Sequence, residues 1–163
     1  MIVVSDSTPL ISLMKAGQLK LLPPLFHEVL IPESVYEELT SNPNYQDEAE
    51  QIRHCDFIKV VSIKEQKAVE ILRKVSGLDL GESEAIIYAD DVKADVLLMD
   101  EAKGRRVAKS MGLYIMGTIG VLLYAYDEKI ISSTEVEQSL HRLKSTNRHI
   151  SEDLIKYALS KIN

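Results

Sequence analysis

Two aspartates directly follow short apolar runs: Asp6 after Ile2-Val3-Val4-Ser5, and Asp100 after Val96-Leu97-Leu98-Met99. If those runs are parallel strands, both carboxylates reach the crevice outside the strand carboxyl ends, where open α/β sheets bind ligands at a reversal of strand order. For either residue alone, a helix cap is an equally good reading. Helical phase adds two glutamates. In the stretch 33–41, Glu38 lies three residues from Val35 and beside Leu39, whereas Glu37 shares its face with Glu33, Ser34, Thr40 and Ser41. Glu38 is therefore expected inward and Glu37 toward water. Glu82 is in register with Ala85, Ile86 and Ala89, which makes it the better inward candidate of its helix, with Glu84 second and Gly81 allowing close backbone approach.

Four carboxylates gathered at one end of a sheet repel by roughly 1 to 4 kcal/mol per pair at ~4 Å, so a cation is needed among them. Cys55 is the single cysteine, and His27, His54, His141 and His149 have no metal-binding spacing. An all-oxygen site for Mg²⁺ or Mn²⁺ follows, rather than zinc. Such an ion polarises phosphoryl oxygens and activates water, which is the chemistry of phosphodiester hydrolysis.

The elements that would position these groups alternate. Stretches 2–5, 29–31, 58–61, 96–99 and 113–116 read as strands, and stretches near 9–16, 33–41, 46–54, 63–75, 81–92, 102–111 and 118–127 as helices. That is the βαβ pattern of a doubly wound α/β fold, with helices on both faces of a parallel sheet. Thr8-Pro9 reads as a helix start and Gly112 as a helix stop. Ser62 with Glu65, and Thr134 with Glu137, have capping-box spacing, and Ser151 precedes two acids at the last helix. Two further helices, near 134–144 and 151–162, close the chain, so a core over 1–130 carries a C-terminal helical appendix over 131–163 within one domain.

Composition bounds the partners. The 163 residues are 45% hydrophobic and carry a net charge of −6, a soluble globular balance that argues against a protein coating nucleic acid non-specifically. The charge is uneven: residues 141–163 are +3, through Arg142, Lys144, Arg148, Lys156 and Lys161 against Glu152 and Asp153, which leaves −9 for the remainder. Apolar runs are too short for a bilayer, and no basic segment precedes the first strand, so neither a membrane anchor nor secretion is expected. The lone cysteine fits a reducing cytoplasm. Lys103, Arg105, Arg106 and Lys109 cluster just after Asp100. Arg105 or Lys103 could hold substrate phosphates, with a solvated helix face as the equal alternative. Without Trp, and with two Phe and seven Tyr, no base-stacking platform is expected.

Val3-Val4-Ser5-Asp6-Ser7-Thr8-Pro9-Leu10-Ile11 and Ile31-Pro32-Glu33-Ser34-Val35-Tyr36-Glu37-Glu38-Leu39 resemble the opening of PIN domains, the nuclease fold of VapC-type toxins. Leu80-Gly81-Glu82-Ser83-Glu84-Ala85-Ile86, then Asp100-Glu101 through Gly104-Arg105-Arg106-Val107-Ala108, and Gly117-Thr118-Ile119-Gly120 are similar to a prokaryotic PIN-like branch described as nucleic-acid binding. The likeness spans about residues 2–125. It implies a three-layer α/β/α fold with a parallel sheet of about five strands and an acidic Mg²⁺/Mn²⁺ pocket that hydrolyses RNA. Asp6, Glu38, Glu82 and Asp100 match the catalytic acids, with Asp6, Asp100 and Glu82 holding metal. Glu84 is the rival to Glu82, and Glu101 is a further alternative. Ser7 matches a hydroxyl that supports the first acid, and with Lys103, Arg105 and Thr118 it makes up the substrate side.

The leading function is then a metal-dependent endoribonuclease, the toxin of a toxin–antitoxin pair with a cognate antitoxin partner. The alternative is a catalytically weak or inactive PIN-like module that binds nucleic acid or is regulated by a partner. Phospho-acceptor folds fit poorly, because Thr8 stands where a haloacid-dehalogenase-like phosphatase has its second Asp and Ser5 where a receiver domain has a paired acid. Apolar helix faces are compatible with a homodimer.

Overall fold

Strands β1 (Val3–Ser5), β2 (Val29–Pro32), β3 (Ile58–Val61), β4 (Val96–Leu98) and β5 (Ile115–Met116) pair in parallel in the order β3-β2-β1-β4-β5. The computed structural model describes residues 1–146 and 150–163; Arg148 and His149, named above, lie outside them. Val4 pairs with Leu30 on one side of β1, and Val3, Val4 and Ser5 pair with Val96, Leu97 and Leu98 on the other. From β1 the chain steps outward to β2 and β3, then crosses back to β4 and β5. Strand order therefore reverses between β1 and β4, which opens a crevice at their carboxyl ends.

The helices are α1 (Ser7–Lys15), α2 (Leu22–Phe26), α3 (Glu33–Thr40), α4 (Gln46–Arg53), α5 (Gln66–Ser76), α6 (Leu80–Asp91), α7 (Ala102–Ser110), α8 (Thr118–Asp127), α9 (Ser133–Ser145) and α10 (Glu152–Ile162). Alternation along the strands divides the buried residues between two faces. Val3, Val29, Ile31, Val96 and Leu98 pack with Leu10, Leu13, Leu122, Val136 and Ile162 of α1, α8, α9 and α10. Val4, Leu97, Met99 and Ile115 pack with Ala85, Ile86, Ala89 and Ala108 of α6 and α7. The result is the three-layer α/β/α arrangement, with β1 and β4 buried on both faces.

Several boundaries differ from expectation. Helix α1 starts at Ser7, not after Thr8, because Asp6 occupies the extended N-cap position. Helix α2 is unanticipated, and its first-turn prolines, Pro23 and Pro24, suit a helix start. Ser62 is not a cap; its hydroxyl donates to Glu33 Oε1 at 2.7 Å. The box at α9 is formed by Ser132 and Glu135, not by Thr134 and Glu137. Ser151 does cap α10, accepting from the Leu154 N–H, and Gly112 takes the left-handed conformation (φ +82°) just past α7.

Helix α9 is tied to the turn that follows α1 by Gln18 Nε2 donating to Ser139 Oγ at 3.0 Å and by Arg142 Nη1 donating to Ala16 O at 3.2 Å. Among the described residues no helix is long and apolar enough to cross a membrane.

Candidate active site

Backbone register sets the first acid. The Asp6 N–H donates to Leu98 O at 3.0 Å, extending the β1–β4 ladder one step beyond Ser5 and placing Asp6 at the reversal point. Asp6 stands at the N-cap of α1, yet its side chain makes no capping bond and is only 2% exposed. Burial raises its carboxyl to about 7; the Ser7 N–H opposes this, and the charges of Glu82, Glu38 and Asp79 add to it.

Helix α3 carries Glu38 to the same place. Its Oε2 accepts from Ser7 Oγ at 2.9 Å. A Cβ at residue 81 would collide with Glu38 Oε1, so the absence of a side chain at Gly81 is what lets the carboxylate lie against α6. Glu37 and Glu38 are both exposed as whole residues, so helical phase alone does not separate them; the Ser7 bond does. Burial pushes Glu38 up, Ser7 offsets part of this, and Asp79 adds to it.

The N-terminal turn of α6 supplies the third group. Asp79 and Glu82 form a reciprocal capping box: Glu82 N–H donates to Asp79 Oδ1 at 2.8 Å, and Asp79 N–H donates to Glu82 Oε2 at 3.0 Å. Glu82 is thereby half-buried and held above the usual carboxylate range, first by burial and then by the charges of Asp79 and Glu101, with the Asp79 N–H opposing. The phase ranking of Glu82 over Glu84 is corrected. Glu84 is the more buried, at 6% exposure, because α6 is packed by the sheet, α3, α5 and α7 and has little free face. Asp79, which bears on Asp6, Glu38 and Glu82 alike, was missed, although Asp79-Leu80-Gly81-Glu82 has capping-box spacing.

Asp100 follows β4 and is held separately. Its Oδ1 accepts from the Thr118 N–H at 2.7 Å and its Oδ2 from Thr118 Oγ1 at 2.6 Å. It does not cap α7; Glu101 does, accepting from the Gly104 N–H at 2.9 Å. Arg105 Nη1 donates to Met99 O at 2.9 Å. A Cβ at residue 117 would stand 2.8 Å from Asp100 Oδ1 and 3.0 Å from Arg105 Nη1, so Gly117 is what lets acid and guanidinium both lie against this backbone.

Ser7 and Thr118, expected on the substrate side, act through neighbouring acids, and Thr118 also lines the groove beside Asp100. Both are buried, and their hydroxyls donate to Glu38 and Asp100. Lys103 is exposed, and its ammonium lies over Gly77 at the α5–α6 turn. Of the two expected phosphate contacts, Arg105 is the one beside Asp100.

Asp6, Glu38 and Glu82 thus share one field, with Asp100 on the neighbouring strand. Among the described residues none of these four is in an ion pair, and no three acidic, histidine or cysteine side chains are gathered closely enough to hold one ion. A buried, uncompensated carboxylate in an all-oxygen donor set fits Mg²⁺ or Mn²⁺, which bind through one or two carboxylates and keep several waters. It does not fit a metal needing a closed protein cage.

A family model described as DUF3368, a PIN domain, matches residues 2–163. No curated protein matches the chain.

Proposed function

Because the chain belongs to the PIN-domain family, a nuclease-type fold, we propose that it is a metal-dependent endoribonuclease that hydrolyses RNA phosphodiester bonds as the toxin of a toxin–antitoxin pair. The observation that carries this reading is the Asp6 carboxylate: 2% exposed, at the strand-order reversal, among the charges of Glu82, Glu38 and Asp79 and without a cationic partner among the described residues. A group so placed is favoured as a carboxylate at neutral pH when a cation binds it.

Asp6, with one of Glu38, Glu82 or Asp100 as a second ligand, would hold Mg²⁺ or Mn²⁺, the remaining ligands being waters. When bound, the ion lowers the pKa of an attacking water and offsets charge on the phosphoryl group. The protein's own part is positional. Ser7 orients Glu38, Thr118 orients Asp100, and the Met99 carbonyl anchors Arg105 Nη1, leaving the rest of the guanidinium to hold a substrate phosphate. In this reading a cognate antitoxin is the protein partner and a homodimer the assembly.

Asp6→Asn and Asp100→Asn are each expected to lower Mn²⁺-dependent cleavage of single-stranded RNA by about 100-fold or more, with the fold intact by circular dichroism. Equal cleavage by wild type and both variants overturns the assignment. One observation favours the second reading, a module that binds nucleic acid or a partner without turnover: the acids do not close on a single point. Calorimetric titration with Mn²⁺ separates the two, since that module predicts no binding heat.

A further inference from the structure

Three tyrosines from separate parts of the fold line one groove. It has a volume of about 1150 Å³ and runs along β5 from Asp100, Arg105 and Gly117, at the carboxyl ends of the strands, to Met1 and Val96 at their amino ends. Tyr114 enters from the edge beside β5, Tyr124 from α8 and Tyr157 from α10. Tyr114 is 64% exposed and Tyr157 52%. Composition predicts no stacking platform, yet the packing of α8 and α10 brings three of the seven tyrosines to one groove.

Resting on the nuclease reading above, we infer that this groove is the path of single-stranded RNA leaving the acidic centre, with a base stacked on Tyr157 and phosphates held by Arg105 and Lys161. Arg105 stands beside Asp100, and Lys161 on the α10 wall holds its Nζ over one face of the Tyr157 ring, 5.3 Å from the centroid, so that a base would take the opposite face. Neither cation is in an ion pair among the described residues. Cations beside exposed rings are what a single-strand path uses: charge tracks the backbone, and rings take any base. The volume exceeds that of a pocket for one small molecule, and the groove begins at Asp100, one of the four acids of the nuclease reading. Glu101 and Asp127 also reach its walls, so stacking should contribute more than charge, in keeping with the net charge of −6.

The test is fluorescence anisotropy of a labelled, unstructured RNA, with Ca²⁺ in place of the catalytic ion, for wild type, Tyr157→Ala, Tyr157→Phe and Lys161→Ala. Tyr157→Ala should weaken binding roughly tenfold while Tyr157→Phe binds as wild type. Lys161→Ala should make the dependence of log affinity on log salt shallower by about 0.7. Thermal melting confirms folding, and a cleavage assay runs in parallel. Wild-type affinity in both alanine variants overturns the groove and leaves it to an apolar protein segment, whatever the cleavage result. Binding that responds as expected without any cleavage upholds the groove and removes the nuclease reading. No RNA binding by wild type overturns both.

Discussion

Thr118 holds Asp100 with two hydrogen bonds, its N–H 2.7 Å from Oδ1 and its hydroxyl 2.6 Å from Oδ2. The first turn of α8 thereby fixes the carboxylate that ends β4, and Thr118 itself is 3% exposed. Replacing it by valine keeps the shape and removes the hydroxyl bond. Thr118→Val should cost about 1.5 to 3 kcal/mol of stability, the scale of a hydrogen bond to a charged group, and should lower cleavage at least tenfold. Thr118→Ser should retain most of both. Denaturant unfolding and single-turnover cleavage of the three proteins check this, and a valine variant as active as wild type would contradict it.

Gly81 faces Glu38 so closely that a methyl group would overlap Oε1. Since residue 81 is helical, alanine there gains up to about 1 kcal/mol of helix propensity. Gly81→Ala should therefore stay folded, with stability within about 1 kcal/mol of wild type, yet lose activity because the carboxylate is displaced from Ser7. Activity at the wild-type level would show that the Ser7–Glu38 pair does not position the reaction.

The Asp6 carboxyl is raised to about 7, chiefly by burial, whereas in an unfolded chain it releases its proton near 4. Between those values the native state keeps a proton that the unfolded state has lost. Stability therefore falls as pH rises from about 4 to about 7, by up to about 4 kcal/mol. Glu38 and Glu82 are raised as well and add to the same slope. Asp6→Asn should flatten the fall and melt higher than wild type at pH 8. Melting temperatures across pH 4 to 8 in a chelating buffer decide this, and parallel curves for the two proteins would refute it.

A divalent ion should reverse that penalty. At a hundredfold excess over its dissociation constant, Mn²⁺ or Mg²⁺ stabilises the native state by about 2.7 kcal/mol, which a thermal shift at pH 8 detects. Asp6→Asn should lose most of the shift. An equal shift in wild type and variant would place the ion elsewhere.

Apolar runs and helical periodicity were enough to set the alternation of strands and helices, and with it the places of Asp6 and Asp100, because a carboxylate directly after an apolar run lies at a strand end whatever the strand order. Helical phase turned Glu38 toward the apolar side of its helix, but its close approach to Gly81 appeared only in the folded chain. Pairwise geometry was beyond the sequence pattern. Glu82 turned back into a capping box with Asp79, an exchange of hydrogen bonds that helical phase does not represent, and α6 was packed on so many sides that Glu84 became the more buried acid. Thr118 met Asp100 across 18 residues only because β5 pairs with β4. The same pairing, with α8 and α10 packed beside it, drew Tyr114, Tyr124 and Tyr157 into one groove. Local periodicity sets which face a residue presents, whereas the partner on the other side of a sheet is chosen by long-range packing, and that was decided by the tertiary structure alone.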